Sequence, residues 1–462
     1  MKKWISLNKI ILFTLLFIGI PVNAGNKDQI PKIFLTGNFG YDYQEASVTI
    51  ITSEGEKIEN LTGKVKWRGG STNTVDKHKR NYKIKFDKDQ QLFGMRKDNN
   101  WILDAGQADL FRLRNRIATE IWNAFSHKPY YINEEPDALT GVRGQLVEVY
   151  LNEDYIGIYS LTECMDRKQL KLKKYNNATG EIKGGLWKSD SYGISLMWEV
   201  VSYDNKKNTW GAFEVKYPEL DDLEETDYST LYNAIYFVVN SSDEEFKNNV
   251  GEYFDLPVII DYYIFLHTLN AFDNVGKNMF WAVYDKTINK KLTLAVWDLD
   301  DTVGAKWLGD WTSPEYNMNI NFNLIVRLKE LNVDGFNEKA IDRYHQLRNN
   351  CLSTDSLIHR YNSYYELLKK SGAAQREEEK WSGDSDINGE TINFDDEIIY
   401  IRNWLTKHMD YLDTTTFLLN MGIENIQYKT VNKDIIYNLY GQRIINPKKG
   451  IYIKNKRKYI YK

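Results

Sequence analysis

Cysteine is almost missing from this chain. Cys164 and Cys351 are the only two in 462 residues, too few for a disulfide scaffold or a thiolate zinc cluster. One disulfide in an oxidising compartment and two buried thiols are equally compatible with that count. Histidine is also scarce, and the six present show no H-E-x-x-H spacing, so any metal should rest on oxygen ligands. No G-x-S-x-G elbow occurs, which argues against an α/β-hydrolase. Charge of one sign is missing too: the formal net charge is −4, and no nucleic-acid partner is expected. Long apolar runs are confined to Ile10 to Pro21, preceded by Lys2 and Lys3 and followed by Val22-Asn-Ala24 as a cleavage site. Residues 1–24 therefore read as a secretory signal, with no later transmembrane segment and no cysteine placed for a lipid anchor. The expected location is exported: periplasm, cell surface or extracellular space.

What the chain does have is a polar constellation set in apolar surroundings. Asp273-Asn-Val-Gly-Lys-Asn278 follows an apolar helix predicted over Pro257 to Leu269, and Trp297-Asp298-Leu-Asp300-Asp301 follows a short hairpin. Met279 to Tyr284 and Leu292 to Trp297 read as its strands, joined by the polar turn Asp285 to Lys291, which brings Asn278 and Asp298 to one end of a sheet. An Asp, an Asn five residues on, and a second Asp after a hairpin is the order in which protein kinases place a catalytic base and metal ligands. Asp273 is the candidate base; Asn278 and Asp298, with Asp300, are candidate oxygen ligands for Mg²⁺ or Mn²⁺ carrying ATP. The bland alternatives are a helix-terminal cap and a solvated acidic loop or calcium site.

Upstream, Lys64 to Asn73 reads as a strand running into a small-residue loop, with Arg68, Gly69, Gly70 and Ser71 suited to covering phosphates. Tyr82-Lys-Ile-Lys-Phe86 alternates as a strand with Lys83 and Lys85 on one face, either of which is a candidate phosphate contact. A lysine-decorated exposed strand is the commoner meaning of such a pattern.

These blocks together resemble the spore coat protein H (CotH) kinase family. The resemblance is carried by Trp67-Arg-Gly-Gly-Ser-Thr72, Tyr82 to Phe86, Leu92 to Trp101, Leu113-Arg-Asn115, Glu148 to Glu163 and the Trp-Asp-Leu-Asp run, and covers about Ile33 to Trp404. It implies an atypical, protein-kinase-like fold that moves phosphate from ATP to serine on secreted or surface proteins. Residue by residue it implies Asp273 as the catalytic Asp, Asn278 and Asp298 as metal ligands, Lys85 on phosphate and Glu163 paired to that lysine. Two positions depart from the family pattern: Gly70 replaces a usual Asn, and Asn274 stands where Gly is common. A catalytically silent scaffold is the principal rival. Sugar binding or hydrolysis is a third reading, raised by 32 Tyr and 13 Trp, among them Trp187, Trp198, Trp210 and Trp281. Asp298 and Asp300, two apart on one strand, sit too close for glycoside hydrolysis, and the aromatics read more simply as core.

The predicted fold class is α+β, with a two-lobed kinase-like unit over residues 25–420 and a small β module over 421–462. Ile33 to Val201 is strand-rich around one helix, Leu110 to Phe125, whose polar positions carry Arg112, Arg114 and Arg116. Helices follow at Tyr228 to Val239, within Asp334 to Lys370, and at Asp396 to Leu418. Gln375 to Glu390 reads as a surface loop, its Glu377-Glu-Glu379 run as a solvated face. The basic tail alternates like short strands and is similar to C-terminal sorting tails on exported Bacteroidetes proteins; a β cap is the equal alternative.

Overall fold

The computed structural model describes residues 28–418 apart from 71–72, 221–222 and 306–312, together with the backbone of short strands between Ile436 and Tyr461. Seven strands come first: β1 (Lys32–Thr36), β2 (Gln44–Ile51), β3 (Lys57–Arg68), β4 (Asn81–Gln91), β5 (Lys97–Asp104), then β6 (Gly144–Leu151) and β7 (Asp154–Glu163) after helix α1 (Arg114–Phe125). They close into a barrel in the order β1-β2-β3-β4-β5-β7-β6. All neighbours are antiparallel except β1 and β6, which pair in parallel with Ile33 opposite Val149 and seal the barrel. Period-two alternation fills its interior with Ile84, Phe86, Trp101, Val149 and Tyr159.

A second, open sheet follows, from β8 (Gly185–Ser189), β9 (Thr209–Trp210), β10 (Phe213–Tyr217), β11 (Met279–Val283) and β12 (Thr293–Val296). Its order is β12-β11-β8-β10-β9. Helices α2 (Ser229–Asn240), α3 (Asp243–Tyr253), α4 (Leu256–Leu269), α5 (Asn323–Glu330), α6 (Phe336–Arg348), α7 (Thr354–Lys370), α8 (Ala373–Trp381) and α9 (Phe394–Thr414) complete this part. Helix α4 is apolar on every side and lies in the larger core with Trp281, Phe322 and Trp404. Three of the tryptophans that raised a sugar reading, Trp187, Trp210 and Trp281, are buried, whereas Trp198 is 48% exposed.

Two expectations are overturned in the same place. Residues 373–381 form helix α8, not a loop, and Glu377 is wholly buried. Its carboxylate lies 3.0 Å from Lys79 Nζ and 2.7 Å from Arg112 Nε, and accepts the Ile158 N–H at 2.7 Å. Gly157 makes the docking possible, since a Cβ there would stand 2.7 Å from Glu377 Oε2 and 2.9 Å from Lys79 Cε. The helix expected from Leu110 begins only at Arg114, and the arginines at its polar positions, Arg112, Arg114 and Arg116, are buried and ion-paired. A buried charge is tolerated only with partners, and each guanidinium here has them: Arg114 reaches Asp109 at 2.5 Å and Glu397 at 2.6 Å.

Both cysteines are free thiols, Cys164 buried and Cys351 partly so. No helix among the described residues is long and apolar enough to cross a membrane. Residues Leu419–Lys462 form a separate compact unit, in which β13 (Ile436–Tyr437), β14 (Arg443–Ile444), β15 (Gly450–Lys454) and β16 (Arg457–Tyr461) pair antiparallel in the order β14-β13-β15-β16. The signal-sequence expectation falls on residues outside those described.

Candidate active site

Helix α4 delivers the loop that carries Asp273. Pro257 sits in its first turn, where a missing N–H costs nothing, and Asn270 ends it in the left-handed conformation at φ 49°. One turn of 3₁₀ helix, Phe272–Asn274, then presents the Asp273 side chain. Lys277 Nζ approaches its two oxygens at 2.6 and 2.9 Å, and Asn278 Nδ2 donates to Oδ2 at 2.7 Å. The Tyr192 hydroxyl lies 3.4 Å from Oδ1.

The hairpin forms in the register the sequence suggests, with Met279 opposite Val296 and the Trp297 N–H donating to the Asn278 carbonyl at 3.2 Å. It ends sooner than expected: β12 stops at Val296, so Asp298 and Asp300 lie in a loop and not on one strand. Asn278 and Asp298 both adopt left-handed backbone, at φ 51° and 58°, a conformation that Asn and Asp tolerate best among non-glycine residues. Asn274 clamps the two segments together, its Nδ2 facing the carbonyls of Trp297 at 2.9 Å and Asp298 at 3.2 Å.

The acidic loop is held from α1 and α9. Asn115 accepts the Leu299 N–H at 3.0 Å and donates to Asp104 at 2.7 Å, so a single amide joins the end of β5 to the loop. Arg114 Nε lies 3.4 Å from the Val303 carbonyl, and the Tyr400 hydroxyl donates to the Gly304 carbonyl at 2.8 Å. Asp298 opens onto the cleft with protein dense around its other sides. That burial, then the Asp104 charge, raises its pKa, with Lys188 and Arg68 pulling the other way. Asp300 is pushed up further, by burial and then by Asp298 and Asp104. Asp301 is 1% exposed, neither of its oxygens has a hydrogen-bond partner, and burial followed by the Asp273 charge raises it to about 8. Carboxylate and amide oxygens at Asn278, Asp298 and Asp300 are the hard donors that Mg²⁺ or Mn²⁺ takes, and all three border one cleft. Among the described residues, however, the only group of three carboxylate and imidazole side chains close enough to share one ion is His78, Asp384 and Asp386, elsewhere in the chain.

A cleft of about 790 Å³ opens in front of these groups, lined by Asp104, Lys188, Asp273, Asn278, Asp298 and Asp300. Arg68, Gly69 and Gly70 also border it, and the Arg68 guanidinium lies 5.1 Å above the Trp297 ring. Ser71 lies outside the described residues. Lys83 and Lys85 do not line the cleft. Because Tyr82, Ile84 and Phe86 fill the barrel, these lysines project outward, Lys85 exposed and Lys83 half-buried. Nor does Glu163 meet Lys85: its carboxylate takes Arg143 at 2.6 Å and the Arg96 N–H at 2.8 Å, and those partners hold its pKa down against burial.

Sequence reasoning missed Lys188, Lys277 and Asp104. Lys188 lies in mid-sheet on β8, opposite Phe280 of β11, and burial lowers its pKa while Asp298 counteracts. A lone lysine in Gly-Leu-Trp-Lys-Ser was the available signal. Asp104 carried none, since nothing in a strand-terminal Asp announces that its charge will stand beside Asp298 in a distant loop.

A family model described as CotH kinase protein matches residues 65–412, which include every cleft residue named above. No curated protein matches the chain.

Proposed function

The chain belongs to the CotH kinase family, and we propose that it transfers the γ-phosphoryl group of ATP to serine on an exported or surface protein. One observation carries the reading: Asp273 is fixed by Asn278 at 2.7 Å at the same sheet end where the hairpin delivers Asp298. Asp273 is the base. It accepts the proton of the serine hydroxyl as the serine oxygen bonds to the γ-phosphorus and the bond to the β-phosphate oxygen breaks, releasing ADP. Lys277 and Asn278 hold its carboxylate in one rotamer, so its orientation does not have to be found at each turnover.

Asn278, Asp298 and Asp300 would hold Mg²⁺ or Mn²⁺, which when bound neutralises triphosphate charge. Lys188 and Arg68 face the same cleft, and the phosphate contact assigned by resemblance to Lys85 passes to Lys188. In this reading the barrel and the helical part act as the two lobes of a kinase-like enzyme. The Gly69-Gly70 loop covers the nucleotide. The test is incubation of the purified chain with γ-labelled ATP, Mn²⁺ or Mg²⁺, and dephosphorylated casein. Label on casein serine is expected, and none with either metal would sink the assignment.

A further inference from the structure

The backbone of Asp298 is held by two asparagines from separate elements. From the loop that follows α4, Asn274 turns its Nδ2 toward the carbonyls of Trp297 at 2.9 Å and Asp298 at 3.2 Å, with the Asn278 carbonyl 3.3 Å away. From the first turn of α1, Asn115 Oδ1 accepts the Leu299 N–H at 3.0 Å. These contacts reach both peptide units that flank the Asp298 Cα. The preceding unit is held by its carbonyl, and the following unit by its carbonyl and its N–H. Because a peptide unit is planar and stiff, holding both units fixes φ and ψ of the residue between them.

Asp298 is a residue that needs such holding. It stands at φ 58°, in the left-handed region that an Asp enters more readily than most residues but does not favour by itself. Strand β12 stops at Val296 and supplies no ladder to restrain it. Asn274 is 1% exposed, and its Oδ1 has no hydrogen-bond partner among the described residues, an arrangement that costs stability. The side chain is therefore placed for what its Nδ2 holds. Asn115 is oriented in turn by Asp104, which accepts from its Nδ2 at 2.7 Å and leaves Oδ1 facing Leu299.

We infer that Asn274 and Asn115 are positioning residues, a clamp that keeps the Asp298 backbone left-handed and so presents its carboxylate to the cleft ready for a divalent cation. The inference rests on the metal role proposed for Asp298 and names what prepares that ligand. It also gives a task to Asn274, which the sequence marks only as a departure from a usual Gly. With the backbone released, an ion would have to select the left-handed state from a mixture. Its apparent affinity would then fall by the fraction of chains in that state.

The experiment measures metal binding separately from transfer. Mn²⁺ is titrated into the full chain without nucleotide and followed by electron paramagnetic resonance, for the wild type, Asn115→Ala, Asn274→Ala, the double variant and Asp298→Ala. Only the uptake that Asp298→Ala abolishes is counted, because His78, Asp384 and Asp386 lie close enough to hold an ion of their own. Each single variant should weaken that uptake about tenfold. The double variant should fall well short of the roughly hundredfold of independent effects, since both residues restrain one backbone position. Hydrogen exchange at the Leu299 amide should quicken in both single variants. In the transfer assay the Mn²⁺ concentration for half-maximal rate should rise, and excess Mn²⁺ should recover the rate. Unchanged Mn²⁺ affinity alongside a lowered melting temperature would make both residues structural only and overturn the clamp. So would a full hundredfold loss in the double variant, or no Asp298-dependent uptake by the wild type. Asn115 is only partly buried and lies in a helix, where Ala is favourable, so Asn115→Ala decides the matter alone if Asn274→Ala does not fold. Normal uptake by the wild type without transfer counts against the kinase reading and leaves the clamp standing.

Discussion

Asn278 donates its side-chain N–H to Asp273 Oδ2 at 2.7 Å, across the turn that separates helix α4 from strand β11. Asn278 thus holds Asp273, the proposed base, from a left-handed backbone position at the edge of the cleft that Asp298 and Asp300 also line. Asp273→Asn keeps the shape of this contact while removing the proton acceptor. Phosphoryl transfer should fall by about 10²-fold or more, with ATP binding retained. Single-turnover transfer and calorimetric ATP titration measure the two separately. Wild-type turnover would remove Asp273 from the mechanism.

The cleft makes a different demand of the lysines. Lys188→Ala should raise KM for ATP about tenfold, or about 1.4 kcal/mol of lost binding. Lys85→Ala, changing an exposed barrel residue, should leave it within twofold. The reverse ranking would restore the phosphate role that the resemblance implies for Lys85.

The contrast between these lysines shows what was legible in the sequence. Period-two alternation placed the β11–β12 hairpin within one or two residues, because apolar strands ending in Asn and Asp leave few registers. The same alternation put Lys83 and Lys85 on one face but not which way that face turned, and barrel closure through β1 and β6 decided it. Ion pairs across long separations were illegible altogether. Glu377 meets Arg112 at a separation of 265 residues, and a Glu-Glu-Glu run looks solvated until its partners are known.

Asp301 gives the metal-free chain a characteristic pH dependence. Burial raises its folded pKa to about 8, above the roughly 3.9 of an unfolded Asp, so the folded state holds more protons between those values. Stability from this group is full below pH of about 4 and is lost as pH rises toward 8. Asp298 and Asp300, also raised, add to the same slope. Melting temperature without divalent metal should therefore fall from pH 5 to pH 8, and Asp301→Asn should flatten that fall. Mn²⁺ at pH 8 should recover the loss. A melting temperature that climbs over this range would contradict the unpaired state of Asp301.

The C-terminal unit from Leu419 is compact by itself. A chain ending at Leu418 should remain soluble and keep its ATP-dependent thermal shift, since the proposed nucleotide cleft is lined from residues before it. Aggregation of that shortened chain would show that the tail completes the core, and would favour the cap over the sorting signal.

Glu377 anchors α8 to the barrel with one carboxylate shared by Lys79, Arg112 and the Ile158 N–H. Lys79 has two further partners, the carbonyls of Ala105 at 2.8 Å and Ile158 at 2.7 Å, but these carry no compensating charge. Glu377→Ala leaves two cations buried without their anion, and the cost should be about 3–5 kcal/mol. Lys339 and Asp334 offer the control, a surface pair whose side chains are 53% and 78% exposed. Solvent screens it, and Lys339→Ala, on the exposed side of α6, should change stability by about 0.5 kcal/mol or less. Urea unfolding of both variants measures the difference. Because Ala105 leads directly into the Gly106 and Gln107 rim of the cleft, Glu377→Ala should also weaken ATP binding below the unfolding transition. Lys339→Ala should not.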